Sequence, residues 1–356
     1  MGNRPSRTAR SHLRTARLVT SADIVGLELP ALQKYFDANV AETAGKFEAT
    51  QLTGGKSNLT YRLDDGTNRW VLRRPPLGVL TPTAHDVARE YRVIRALAGS
   101  AVPVAEPVIC CEDASVIGVP FAVVCFVDGT TLQDGDQASQ LSSEEARLRS
   151  TALVDSLAAL HSVDYAAVGL ENFGRPAGYL GRQVATWRRQ WDRVTTRHFT
   201  DLDRLYNRLE QAVPVESAHA IVHGDYRLDN VIFDADSPGR IAAIIDWEMA
   251  TLGDPLADLA LLQVYWDPAT APVLGVRHAP SANDGFLSAD EMAQRYQELT
   301  QRAVDDLSFY RALGYFKLAV IAEGIHQRFL SGHTVGSGFD TVGSAVGVLL
   351  DRGLNA

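Results

Sequence analysis

Three oxygen-bearing side chains within one stretch carry the most chemistry in this 356-residue sequence. Asp225 and Asn230, separated by four residues, sit in VHGDYRLDNVIFD, a polar loop that leaves one apolar run and enters another. ADSPGR then makes a turn, and IAAIID returns to Asp246. The flanking runs read as paired strands, so an Asp, an Asn and a second Asp meet at one end of a hairpin. Phosphoryl transfer needs that set. One carboxylate orients the attacking hydroxyl and accepts its proton, while an amide oxygen and another carboxylate hold Mg²⁺ on nucleotide phosphates. Magnesium takes hard oxygen ligands and few of them from the protein, which suits Asn230 with Asp246. Asp, Gly and Asn are also common turn formers, so His-Gly-Asp alone would say little; the full spacing between two strands carries the reading. His223 could be a base, but a histidine closing an apolar strand packs and fixes its loop, and that structural role is assigned to it.

The elements around this island divide the chain. From Phe47 onward FEATQL, LTYRL and WVLRR read as strands, separated by the turn-rich TGGKSN and DDGTN, the latter a hairpin signal. A helix-period stretch runs from about Ala84 to Ala98, with Val87, Tyr91, Ile94 and Leu97 on one face. PVICCE and PFAVVCFV are further strands. After Asp128-Gly129 residues 144–162, 184–212, 290–304 and 307–330 read as helices. The pattern predicts an α+β protein, with a small β-rich N-terminal lobe over 21–127, a larger, mainly helical C-terminal lobe over 128–356, and a cleft between them. Residues 1–20, with five arginines and no acid, read as a mobile basic tail.

Composition narrows the function classes. Hydrophobic residues make up 46% and charged residues 22%, an ordinary globular balance that excludes a disordered chain, a coiled-coil rod or a collagen-like repeat. The net charge of −9 is uneven, about +2 up to residue 130 and −11 after it. That acidity argues against nucleic-acid binding, which needs clustered cations, and is compatible with a cationic substrate. No apolar run is long enough to span a bilayer, and no apolar segment follows the early arginines, so neither membrane insertion nor a secretory leader is expected. Cys110, Cys111 and Cys125 are the only cysteines and form no paired framework. A cytoplasmic protein is the expectation. Only Lys34, Lys46, Lys56 and Lys317 are lysines, beside 30 arginines, so work usually done by lysine is open to arginine.

HGDYRLDNVIFD, IIDWE and GDPLADLA resemble the aminoglycoside phosphotransferase and choline kinase superfamily, whose members have a protein-kinase-like fold. The branch most similar is that of bacterial phosphotransferases related to the kinase domains fused to acyl-CoA dehydrogenases. The resemblance covers roughly residues 30–330. It implies Asp225 as catalytic base, Asn230 and Asp246 as Mg²⁺ ligands, His223 as loop organiser, and Asp258 in a structural role, capping the helix that begins at LALL. TGGKSN would cover nucleotide phosphates, with Gly54 and Gly55 giving backbone N–H groups and Ser57 and Asn58 further contacts. It is not a P-loop, because Thr50 stands where the first glycine belongs and a strand rather than a helix follows. Arg73 occupies the position of the family's strand lysine, with Glu90 as its partner, and Arg74 points to the other strand face. Arginine is not an equivalent of lysine, since its fork is larger and binds phosphate in two-pronged fashion. Backbone groups of Cys125 and Val127 would meet the purine, without separating ATP from GTP.

The resemblance thus implies an ATP- and Mg²⁺-dependent O-phosphotransferase that moves the γ-phosphate to a small-molecule hydroxyl, the acceptor a hydroxy acid or hydroxyacyl thioester. An aminoglycoside acceptor is the alternative, favoured by the acidic second part. A catalytically silent nucleotide-binding module has only the missing lysine in its support. A protein kinase is disfavoured because no activation segment ending in Ala-Pro-Glu follows IIDWE.

Overall fold

The computed structural model describes residues 24–40, 43–52, 58–77, 86–132, 135–334 and 338–356. The chain divides into two units, one made of Met1–Tyr91 with Glu106–Phe126 and the other of Arg92–Ala105 with Val127–Ala356. The smaller is β-rich and the larger mainly helical, the two-lobed α+β class expected from the pattern.

In the smaller unit Leu29–Asn39 (α1) precedes Glu48–Leu52 (β1), Leu59–Asp64 (β2) and Arg69–Arg74 (β3). Val87–Leu97 (α2), whose residues from Arg92 onward belong to the larger unit, Pro107–Cys111 (β4) and Phe121–Cys125 (β5) follow. The strands form one antiparallel sheet in the order β1-β2-β3-β5-β4. The DDGTN hairpin is present, with Asp64 opposite Arg69 and Gly66 supplying the positive φ of 88° that the turn requires. α1 was not legible as a helix. It carries Pro30 in its first turn and buries Leu32 and Phe36, one turn apart, against Phe47 and Trp70. Phe36 meets Phe47 edge to face at 4.8 Å.

The larger unit opens with the short Gly135–Ser139 (α3) and then Ser143–His161 (α4), started by a reciprocal cap between Ser142 and Glu145. The single helix expected over 184–212 is two, Tyr179–Val194 (α5) and Thr200–Gln211 (α6). The break has a cause distant in sequence. Glu323 accepts from the Thr196 amide at 2.9 Å and its hydroxyl at 2.6 Å, and pairs with Arg197 at 3.0 Å, drawing the chain out of helix. Ala220–Val222 (β6), Val231–Phe233 (β7), Ile241–Ile244 (β8) and Thr251–Gly253 (β9) form two small ladders, β6 with β9 and β7 with β8. Pro255–Val264 (α7), Ala271–Leu274 (α8), Ala289–Thr300 (α9), Ser308–Leu330 (α10) and Val342–Leu354 (α11) complete it. α10 is buried along most of its length and packs against α5, α7 and α11. No helix among the described residues is long and apolar enough to cross a membrane.

Candidate active site

The loop after β6 is held from below by one carboxylate. Asp258, in the first turn of α7, accepts from the amides of His223 at 2.6 Å and Gly224 at 2.9 Å. His161 of α4 approaches the same carboxylate at 3.4 Å with Nε2, while its Nδ1 meets the Tyr296 hydroxyl at 2.8 Å. Burial pushes the Asp258 carboxyl up, but His161 and the loop amides outweigh it and hold the group below the usual carboxylate range. Asp258 therefore does not cap its helix, as the sequence suggested. The helix starts earlier, at Pro255, and Asp254 is the cap, accepting from the Leu256 amide at 3.0 Å.

His223 is fully buried, with its ring 4.8 Å from that of Trp247. Its Nδ1 accepts from the Asp225 amide at 3.3 Å, so the proton is on Nε2, which donates to the Ile245 carbonyl at 3.0 Å. Both ring nitrogens are thereby committed to loop backbone. Gly224 turns the chain with φ 81°, where a Cβ would fall 2.8 Å from the Met249 carbonyl oxygen.

Asp225 emerges from this support with both carboxylate oxygens engaged. Oδ1 accepts from the Tyr265 hydroxyl. Oδ2 accepts from Asn230 Nδ2 at 3.1 Å and faces Arg227 Nε at 3.4 Å. Burial alone would raise its pKa, but the charges of Arg227 and Lys317, with the Tyr265 hydrogen bond, hold it below the ordinary value. Asp225 is thus ionised at neutral pH. Arg227 also pairs with Asp229 at 3.0 Å; burial opposes its charge, and Asp225 and Asp229 overcome that and strengthen it.

The ladder of β7 and β8 brings the other two side chains together. Val231 lies opposite Ile244, and the Ile245 amide donates to the Asn230 carbonyl at 2.9 Å, which sets Asp246 beside Asn230. Asn230 gives its amide nitrogen to the Asp225 carbonyl at 2.8 Å as well as to the carboxylate, which leaves its side-chain oxygen for a cation. Asp246 has φ 66° and ψ 59°, a left-handed backbone that few non-glycine residues adopt. Among the described residues no three His, Cys, Asp or Glu side chains surround a common point. An amide oxygen and one or two carboxylates, all hard ligands, match a Mg²⁺ that keeps the rest of its shell for phosphate and water.

In the smaller unit Arg73 Nη1 lies 3.2 Å from Glu90 Oε2. Glu90 is buried, and its other oxygen accepts from Asn58 Nδ2 at 2.8 Å. Asn58 is only 3% exposed, so this side chain faces Glu90 and not a phosphate, which corrects its expected contact. Arg74 is buried on the other strand face and donates to the Pro75 carbonyl at 3.1 Å and to that of Gly26. Gly54, Gly55 and Ser57 lie outside the described residues. The Cys125 amide donates to the Glu106 carbonyl at 2.8 Å, so its donor is spent within the sheet and only its carbonyl could serve a purine. Val127, half-buried, follows β5 and belongs with the larger unit.

Residues 48–299 match the family model described as the phosphotransferase enzyme family. The chain belongs to that family. Its relatives in the family's neighbourhood include acyl-CoA dehydrogenase family member 11 of Gallus gallus, 35% identical over 88% of this chain and 41% of the relative. Family member 10 of Mus musculus is 35% identical over 85% of this chain and 28% of the relative. The chain thus spans well under half the length of these curated relatives. Among solved structures, a protein of Ralstonia eutropha JMP134 assigned provisionally to the aminoglycoside phosphotransferases has a TM-score of 0.81 at 33% identity, over 92% of this chain and 97% of that one. The phosphotransferase APH(4)-Ia, solved with AMP-PNP and hygromycin B, shares the fold at a TM-score of 0.59 and 16% identity, over 92% of this chain and 99% of that one. The described fold is the kinase-like one of that family.

Tyr265 was missed in the sequence, as were His161 and Tyr296. Tyr265 ends the apolar run LADLALLQVY and carries no local mark that separates it from the core.

Proposed function

We propose that this phosphotransferase moves the γ-phosphate of Mg²⁺·ATP to the hydroxyl of a small molecule, with a hydroxy acid or hydroxyacyl thioester as acceptor and Asp225 as the base. The observation that carries the reading is the state of Asp225, a half-buried carboxylate kept ionised by Arg227, Lys317 and Tyr265 and oriented by Asn230. Such a group accepts the hydroxyl proton as the acceptor oxygen bonds to the γ-phosphorus and the bridging bond to ADP breaks. Asn230 and Asp246 are the residues that would hold Mg²⁺, which neutralises phosphate charge when bound. Arg227, half-buried and paired with two carboxylates, would meet charge that develops on the transferred group.

Arg73, fixed by Glu90, would hold the nucleotide phosphates in place of a lysine, and the Cys125 carbonyl with the Val127 amide would meet the purine. His223 and Asp258 keep the loop in shape and do not touch the reacting atoms. The retention of a base and both oxygen ligands speaks against a silent nucleotide-binding module.

The test is transfer from Mg²⁺·ATP, and separately Mg²⁺·GTP, into a mixed panel of hydroxy acids, their CoA thioesters and aminoglycosides, read by mass spectrometry. Phosphate on a hydroxy acid or thioester is the expected result. Phosphate on aminoglycosides alone would replace the acceptor class, and nucleotide binding without transfer to any acceptor would sink the reading.

A further inference from the structure

Lys317 sits in the middle of α10, 7% exposed, on a helix whose other buried side chains are mostly apolar, Glu323 excepted. A buried ammonium is costly unless it has partners, and this one is sparsely supplied. It donates to the Gly224 carbonyl at 2.5 Å, the residue before Asp225, and lies 4.0 Å from the Met249 sulfur and 5.5 Å from the centre of the Trp187 ring. Among the described residues no carboxylate forms an ion pair with it. Asp258 is near, but its oxygens are taken by two loop amides and His161. Two of the three N–H donors of Lys317 therefore have no strong acceptor.

Those donors border a cavity of about 70 Å³ lined by Lys317, Trp187, Gln183, Tyr179, Met249 and Thr251, among others. The space suits a carboxylate with one or two carbons, taking roughly 30 Å³ as the share of a water-sized group. Its walls are mostly aromatic and aliphatic; Asp258 also lines it, with its oxygens spent on the loop amides and His161, and the side chains of Gln183 and Thr251 make no hydrogen bond to the described residues. Apolar walls with a few convergent polar groups and one cation are the makings of a subsite for a small anion. The ammonium would repel a polycation at the same place.

We propose that this cavity is the acceptor's anion subsite. It takes the carboxylate of a short hydroxy acid on Lys317, Gln183 and Thr251, while the hydroxyl farther along the acceptor chain reaches Asp225. The proposal rests on the phosphotransferase reading above and names the charge of its acceptor.

The experiment compares matched acceptors, 2-, 3- and 4-hydroxybutanoate, the corresponding carboxamides, and 4-aminobutan-2-ol, at saturating Mg²⁺·ATP. At least one carboxylate is expected to exceed its carboxamide about 10-fold in kcat/KM, with the amine poorest, in line with one charge-assisted hydrogen bond. Lys317→Met should lower kcat for every acceptor, since its charge helps to keep Asp225 ionised, and should besides erase the preference by raising KM for the acid alone, leaving KM for ATP within about threefold. Gln183→Leu, which leaves the ammonium and its bond to Gly224 in place, should weaken the acid alone and so covers the case in which Lys317→Met fails to fold. Calorimetry with butanoate, which carries no hydroxyl, reads the subsite independently of turnover, and its binding should vanish in Lys317→Met. Butanoate bound in that way without transfer to any acceptor would confirm the subsite and overturn the phosphotransfer reading. Carboxamide or amine used as well as the acid, or butanoate unbound by the unaltered protein, would overturn the subsite.

Discussion

The loop around Asp225 and the group around Arg73 hold their charges by different means. In the loop, the support comes largely from backbone and from buried groups on several helices: Asp258 accepts two amides, His223 bridges two backbone sites, and Lys317 reaches a carbonyl. In the smaller unit, Asn58, Glu90 and Arg73 form a chain of side-chain contacts of 2.8 Å and 3.2 Å. Backbone donors are fixed by the fold, so a carboxylate that accepts them cannot be altered without disturbing the loop itself. A side-chain pair can change partner or type and leave the sheet intact. That contrast predicts different outcomes for substitutions in the two regions.

Apart from Asp225 itself, the largest effect is expected at Asp246. Asp246→Ala should lower phosphate transfer by about 10²–10³-fold, the scale for removing one preorganised electrostatic contact, and should abolish the Mg²⁺ dependence of nucleotide binding measured by calorimetry. Unchanged Mg²⁺ dependence would mean that the metal is held elsewhere.

Asp258→Ala comes next and reads as stability. It leaves two buried amides and His161 without their acceptor, which should cost about 2–4 kcal/mol in urea unfolding. The pH dependence has a definite sign. The folded pKa of Asp258 lies below its unfolded value of 3.8, so its contribution is complete above about pH 4 and is lost as pH falls through the depressed folded pKa. His161, whose burial lowers its pKa from 6.5, adds an earlier loss as the unfolded chain takes up a proton below that value. The Asp258→Ala protein should therefore show a flatter stability curve below pH 4 than the unaltered chain.

Arg73 should give the smallest and most graded response. Arg73→Ala is expected to raise KM for ATP about 10- to 100-fold, the range for a hydrogen-bonded charge, with kcat changed far less. Arg73→Lys should fall between the two. A loss of kcat as severe as that at Asp246 would erase the distinction between the regions.

What was legible in the sequence follows the same division between local and distant causes. The loop was readable because Asp225, Asn230 and Asp246 are set by one short hairpin, where turn chemistry and strand pattern act over neighbouring residues. The hairpin around Gly66 was readable for the same reason. Tyr265 and Lys317 reach Asp225 and Gly224 from 40 and 93 residues away, across helix packing that no local pattern encodes. α11 was hidden by its glycines, which lower helix propensity. Packing requires one of them: a Cβ on Gly343 would fall 2.5 Å from His326 Nδ1, where α10 and α11 meet closely. The cap of α7 was misplaced by one turn because both Asp254 and Asp258 precede apolar residues, and only the fold shows which one faces the helix end.

The central claim is that Asp225 acts on the acceptor hydroxyl and not on the nucleotide. Its most direct test is single-turnover transfer by Asp225→Asn, with Mg²⁺·ATP preloaded and the acceptor found in the panel added in excess. The account predicts transfer slowed by about 10²–10⁴-fold, the usual contribution of a positioned base, with Mg²⁺·ATP affinity within about threefold of the unaltered protein. Transfer at the unaltered rate would contradict it.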